Sequence, residues 1–296
     1  MKRRALTLTV CLIILAVTPA AGQNPPAPKA APDLAVQPIT KALYLVKGGS
    51  GANTAFYVTP REVFVVDAKM SAESAAGMLA EIRKVTSAPV TTIVITHSDG
   101  DHINGLPGFP KGLKIIAHKN VVRDMEAAAA GLPALKEYFP TETFTTELEL
   151  TGAGSDLALR HYGPAHTDGD SVVFFGPDKA VFVGDLLFVG RDPLIHRHKN
   201  GSSFGYVRTL EALLAAEPAV ETFLSGHADP LGRADVQALR DAMAEKQAKV
   251  KAMIDEGQSL EDIKKAFGVE DRPAAAGGRR WLSLVETIYL ELTEKK

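Results

Sequence analysis

Val90-Thr91-Thr92-Ile93-Val94-Ile95-Thr96-His97-Ser98-Asp99-Gly100-Asp101-His102 is the stretch on which the reading of this chain turns. Its first seven residues are β-branched and largely apolar, with no polar alternation. That pattern suits a strand buried on both faces. The polarity then switches abruptly: His97, Asp99, Asp101 and His102 place four potential metal ligands within six residues. A loop at the end of a buried strand is where a rigid scaffold presents functional groups. Imidazoles and carboxylates together suit zinc, iron or manganese. A local turn can send His97 and Asp99 one way and Asp101 and His102 another, so one loop could serve two adjacent cations. The plainer alternative is a polar turn with solvated side chains.

Further along the chain the theme returns. Gly163-Pro164-Ala165-His166 lies between strand-like runs, Val183-Gly184-Asp185 ends one run, and Ser225-Gly226-His227 ends another. Each sets a metal-capable side chain beside a glycine, where backbone can approach closely. Singly these are weak signals, and in series they form a constellation.

Around these loops, short β-rich runs at 43–46, 55–58 and 63–66 are separated by Gly48-Gly49-Ser50-Gly51 and Thr59-Pro60-Arg61-Glu62, which reads as a meander. Ser71 can cap a helix over 71–85 whose apolar face is Met78, Leu79 and Ile82. Strands are expected at 114–117, 156–162, 171–175, 180–183 and 221–224. Helices are expected at 121–130, 206–216, 233–256, 259–267 and 280–294. Strand blocks interleaved with helices give a layered α/β domain. Two face-to-face sheets with helices outside would fit this order, and so would a doubly wound sheet.

The chain has 296 residues, 46% hydrophobic and 23% charged, with a formal net charge of −2. This is the composition of a globular protein, and no basic stripe suggests a nucleic-acid partner. Residues 1–22 run from Lys2-Arg3-Arg4 through an apolar segment, Ala5 to Val17, to Thr18-Pro19-Ala20-Ala21-Gly22. That is the form of a secretory signal peptide, and the apolar segment is too short for the roughly 20 residues a membrane span needs. The expected product is exported, periplasmic or secreted, with no stable membrane insertion. Loss of its three basic residues takes the formal charge from −2 to −5. Cys11, the single cysteine, falls within this leader, so no disulfide, thiol nucleophile or Cys-ligated metal is expected after cleavage. Residues 23–38, rich in Pro and Ala, read as a flexible linker, 39–232 as the main domain and 233–296 as a helical extension packed on it.

In order and spacing, His97-x-Asp99-x-Asp101-His102 followed by His166, Asp185 and His227 resembles the metallo-β-lactamase superfamily over roughly residues 40 to 230. Asp67 matches a structural aspartate of that superfamily. The resemblance implies a four-layer αββα sandwich, α/β (α+β) in class, with the site at one edge. It implies that His97 and His166 bind a first metal, that Asp101, His102 and His227 bind a second, and that Asp185 bridges them. Zinc is the first expectation for the two divalent ions, with manganese or iron as alternatives. Asp99 departs from the pattern, standing where the family has its second histidine. It either ligates through oxygen, making a harder site, or is too short and leaves that position weak. The implied activity is hydrolysis by a dinuclear-metal-bound hydroxide of an ester, lactone, thioester or amide-type bond in a small-molecule substrate. Asp101 would orient the nucleophile and pass a proton to the leaving group.

In the lactamase branches the Asp185 position is usually Cys or Ser, and the place three residues on, where some of them carry a drug-binding Lys, is Phe188 here. Asp at that position resembles the thioesterase and lactonase branches instead, and export argues against a glutathione thioesterase. A β-lactamase, an iron-dependent oxidoreductase and a non-catalytic metal-binding accessory protein are the alternatives. His196-Arg197-His198-Lys199-Asn200 has two readings: His196 and His198 line the substrate mouth, or the run is a solvated basic loop. His118 and His161 are expected outside the ligand set. Trp281, with Leu284, Ile288, Leu290 and Leu292, is expected to pack the tail onto the core.

Overall fold

The structure is a computed structural model, which describes residues 33–152, 155–270 and 280–294. The leader and residues 23–32 of the expected linker lie outside the described residues. Two sheets carry the fold. The first has strands in the order β1 (Ala35–Pro38), β2 (Leu43–Lys47), β3 (Thr54–Val58), β4 (Val63–Val66), β5 (Val90–Ile95), β6 (Lys114–His118) and β7 (Glu142–Phe144). β1 to β4 pair antiparallel, and β4 to β7 pair parallel. The second sheet runs β12 (Thr222–Leu224), β11 (Ala180–Phe182), β10 (Val172–Phe175), β9 (Ser155–Arg160), β8 (Glu147–Gly152). Only its β11–β12 pair is parallel.

Side-chain alternation assigns the layers. In β4, Phe64 and Val66 face the second sheet, where they pack with Leu157, Val173, Phe182 and Leu224. Val63 and Val65 face the other way, onto α1 (Ala72–Val85) and α3 (Lys119–Ala128), whose Met78, Ile82, Val121 and Met125 close that layer. Beyond the second sheet, Val181 and Phe223 pack against α4 (Ser203–Leu214), α5 (Arg233–Asp255), α6 (Leu260–Ala266) and α7 (Leu284–Thr293), through Tyr206, Leu210, Met243 and Ile288. The result is the αββα sandwich that the resemblance implies. β5 reads as a continuous apolar run because it is covered on both faces, with Ile93 and Ile95 toward the helices and Val94 toward the second sheet. No described helix is long and apolar enough to cross a membrane.

The expected linker ends too late. Ala35–Pro38 is a paired strand, with Ala35 opposite Lys47 and Pro38 opposite Tyr44. The reason is the open edge of β2: its unpaired backbone groups accept a fourth partner whatever that partner's composition, and Val36 packs onto the helix-side core. Pro38 sits at the end of this edge strand, where a missing N–H is tolerated. Helix starts follow caps rather than apolar periodicity. Ser202 caps α4 by accepting from Gly205 N, and Ser283 caps α7 in a box with Glu286, so these helices begin at Ser203 and Leu284.

Candidate metal centre

The site starts from one buried carboxylate. Asp67 follows β4 in the left-handed region, at φ 65°. Its Oδ1 accepts from the Thr96 N–H at 2.8 Å, and its Oδ2 accepts from the Thr96 hydroxyl at 2.8 Å and from His102 Nδ1 at 2.7 Å. The hydroxyl, having given its proton to Asp67, accepts from His97 Nδ1 at 3.0 Å. Both imidazoles are thereby held with Nδ1 protonated, which leaves each Nε2 lone pair free. His166 is fixed in the same sense, its Nδ1 donating to the Leu194 carbonyl at 2.7 Å. The 163–170 loop is tied by Asp170, which accepts from the Thr167 N–H and hydroxyl.

α2 (Gly100–Ile103) lifts Asp101 and His102 from the end of the strand beside His97 and Asp99. The loops after β11 and β12 bring Asp185 and His227 to the same place. Glycines make the approach possible: a Cβ on Gly184 would lie 2.7 Å from Thr96 Oγ1, and one on Gly226 would lie 2.6 Å from Asp185 Oδ1. Two donor groups result, His97, Asp99, His166 and Asp185 in one, and Asp101, His102 and His227 in the other. Within the first, Asp99 Oδ2 lies 3.1 Å from His166 Nε2 and 3.7 Å from His97 Nε2. Within the second, Asp101 Oδ2 lies 3.1 Å from His227 Nε2 and 3.7 Å from His102 Nε2. Asp185 reaches both: its Oδ1 is 3.1 Å from His102 Nε2, and its Oδ2 is 3.1 Å from His227 Nε2 and 3.9 Å from His97 and His166. All seven expected residues therefore meet in one place.

The donor set fits divalent cations. His97 Nε2, His102 Nε2 and Asp185 Oδ1 are buried without a hydrogen-bond partner, a costly state for polar atoms that ligation relieves. The electrostatics agree. Burial raises the Asp185 carboxyl, but the charge of the facing His102 and the hydrogen bond from His227 outweigh it and hold the group well below the usual range. Burial also raises Asp99, and hydrogen bonds from His166 and His196 drive it far down. Conversely, burial lowers His166 while Asp99 and Asp185 lift it to about 9, and hydrogen bonds to Asp101 and Asp185 lift His227 to about 9. Three carboxylates facing four imidazoles create a potential that favours positive charge, whether protons or metal.

Asp99 has partners the sequence does not reveal. Its Oδ1 accepts from Lys199 Nζ at 2.7 Å, and its Oδ2 from His196 Nε2 at 2.6 Å. Lys199 also donates to the Ser98 carbonyl and hydroxyl. His196 is 3% exposed, so the part of the basic run that touches the site is buried against it. His198 stands behind, its ring 5.2 Å from that of His196. His118 and His161 stack on each other at 3.9 Å away from the cluster. Sequence reasoning also passed over Lys69, fully buried, whose ammonium donates to the carbonyls of Val46, Gly48 and Ala52 and so pins the turn that meets Asp101 through Ala52 N–H.

Comparison with known proteins agrees with the geometry. The model of the metallo-beta-lactamase superfamily matches residues 48–227. A linear primary-alkylsulfatase from Pseudomonas sp. (strain ATCC 19151) is 28% identical over 236 residues, 62% of this chain but only 44% of that protein, so the chain spans less than half of that relative. A type 2 metallo-beta-lactamase from Elizabethkingia meningoseptica is 24% identical over 201 residues, covering 68% of this chain and 78% of that one. Among solved structures, DIM-1 metallo-beta-lactamase superposes with a TM-score of 0.62 at 16% identity, covering 73% of this chain and 99% of that one. A metallo-beta-lactamase from Pontibacter korlensis gives 0.59 at 17% identity, covering 70% of this chain and 99% of that one. With the fold, the loop order and the family model in agreement, the chain belongs to the metallo-beta-lactamase superfamily.

Proposed function

We propose that the protein is an exported metal-dependent hydrolase that holds two divalent cations, one at His97, Asp99 and His166, the other at Asp101, His102 and His227, with Asp185 shared. The single observation that carries this is the pair of donor groups joined by Asp185, with unpartnered Nε2 atoms on His97 and His102. Divalent cations there would acidify a water molecule and polarise the oxygen that gains charge at a carbonyl, phosphoryl or sulfuryl centre.

The residues themselves do the rest. Asp67 keeps His102 in the ligating tautomer directly and His97 through Thr96. Asp101, one-fifth exposed at the open side of the cluster, orients the attacking water through Oδ2 and passes its proton to the leaving group. Phe188, its ring stacked 5.7 Å from His227 and 6.4 Å from His166, keeps bulk water from that side. No serine or cysteine nucleophile is needed.

The bond cut is an ester, lactone, thioester or amide-type bond. A sulfate ester belongs in the same test, given the alkylsulfatase relative. β-Lactam hydrolysis is the second reading, supported by the lactamase relatives and opposed by Asp185 and Phe188. The test is metal analysis of untreated purified protein, followed by a screen of these substrates with zinc, manganese or iron restored. Two cations per chain with turnover of one class is the expected result. A protein that never retains a divalent ion would end the proposal, and dioxygen consumption with iron in place of hydrolysis would replace it with the oxidoreductase.

A further inference from the structure

The apolar side chains that the fold leaves exposed are not spread evenly. Among the described residues the large ones are Met70, Val85, Val189 and Trp281, and three of the four adjoin residues that neighbour the metal centre. Met70 abuts the turn at Gly51, where a Cβ would lie 2.6 Å from Met70 N and 2.8 Å from the Asp101 carbonyl. Val189, 63% exposed, follows Phe188, which stacks on His227. Trp281, 49% exposed, sets its ring 4.8 Å from His196 and 5.6 Å from His198, and His196 is the hydrogen-bond partner of Asp99.

Tail packing does not account for Trp281. Leu284, Val285 and Ile288 already seat α7 in the core, each 3% exposed or less. The indole touches histidines of the site's edge and leaves half its surface to water. An exposed apolar patch of this kind, beside a polar reacting centre, marks a place where a ligand is received. A cavity of about 350 Å³ lies between the 188–193 loop and α5. Phe188, Val189, Leu239 and Met243 give it apolar walls and Asp192, Asp235 and Lys246 charged ones, and the Arg191 guanidinium lies 4.5 Å over the Phe188 ring. Phe188 is thus a wall shared by this cavity and the metal centre.

We propose that this rim, from Trp281 to Phe188 and Val189, receives an apolar hydrocarbon group of the substrate, alkyl or aryl, while the bond to be cut lies at the His/Asp cluster. The proposal rests on the hydrolase reading above. The tail that carries Trp281 lies outside the residues matched by the family model, whereas Phe188 and Val189 lie within them.

Trp281 is the protein's one tryptophan, so its fluorescence reports on the rim directly and without turnover. The experiment titrates zinc-loaded full-length protein with n-alkylphosphonates from methyl to hexyl, which carry no bond to hydrolyse. The expected result is a saturable change in emission, with Kd falling two- to fourfold per added methylene, since a fully buried methylene is worth about fourfold. Calorimetry on Trp281→Ala should show the methyl compound bound as in the native protein but at least half of the chain-length gradient lost, and Trp281→Phe should keep most of it. A Kd constant within a factor of two along the series would overturn the proposal. So would a gradient unaltered in Trp281→Ala. A protein that shows the gradient yet hydrolyses nothing would leave the rim standing and end the hydrolase reading.

Discussion

Asp67 accepts three hydrogen bonds with two oxygens, and each fixes something different: the strand end, the Thr96 hydroxyl and the His102 tautomer. An asparagine of the same shape has one acceptor oxygen and an NH₂ that must face either the Thr96 N–H or the Thr96 hydroxyl and His102 Nδ1–H. Whichever way it turns, a buried donor meets a donor. Asp67→Asn is therefore expected to lower metal affinity 10- to 100-fold, measured by competition with a chromogenic chelator. Unchanged affinity would show that Asp67 does not set the ligand tautomers. Asp101 differs in kind, because in the proposed reaction its chemistry would be needed when the leaving group departs. Asp101→Asn is expected to cut turnover at least 100-fold, while the melting temperature of the metal-free protein stays within a few degrees. Full turnover in that variant would remove Asp101 from the mechanism. At this scale the sequence was legible in one respect and opaque in another. The seven donor residues stand out because ligand chemistry is a property of residue type and local spacing. The environment of Asp99 does not, because its ammonium partner, Lys199, is a hundred positions away in the chain. Nothing local says that the basic run 196–200 folds back onto that carboxylate.

Elements were legible where burial shapes their pattern. β5 and β4 are apolar runs because both faces are covered, and α1 shows its Ser71 cap and its Met78–Leu79–Ile82 face in the sequence. β1 and β7 were not, since edge strands are held by backbone pairing and need no apolar signature. β8 and β9 meet at the second sheet's other edge, where alternation of Glu147-Leu148-Glu149-Leu150 was the available signal. α3 begins at Lys119 because His118 caps it, its Nδ1 accepting from the Asn120 N–H while Nε2 donates to the Thr145 carbonyl. Nδ1 can accept only while the ring is neutral. Burial, then the neighbouring His161, lower the His118 pKa to about 4 from an ordinary 6.5. Between those values the unfolded chain binds a proton that the folded one refuses. The cap's contribution is thus fully present above pH 6.5 and is lost as pH falls toward 4, by at most about 3 kcal/mol. Urea unfolding of metal-free protein at pH 7 and pH 4.5 should show a larger loss for the native chain than for His118→Gln. Equal losses would mean that His118 titrates as it would in water.

For the whole molecule, the metal centre is also a seam. His97, Asp99, Asp101 and His102 follow β5 of the first sheet, whereas His166, Asp185 and His227 hang from loops around β10, β11 and β12 of the second. Either sheet alone supplies an incomplete set of ligands. Cations held there would tie the two layers together and bind the folded state only, so their affinity would add to stability by mass action. At free metal a thousandfold above Kd, each site contributes about 4 kcal/mol. For a domain of this size a kilocalorie moves the melting temperature by about 2–4 °C. Exhaustive chelation should therefore lower the midpoint by roughly 10 °C or more, and restoring zinc should return it. Far-UV circular dichroism at 25 °C should barely change, because the Leu45–Phe64–Phe182 core between the sheets contains no ligand. A chain whose single cysteine allows no internal disulfide would have this cross-link as its substitute. If the stripped and loaded proteins melt together, cations do not bridge the sheets, and the seven residues must be explained without them.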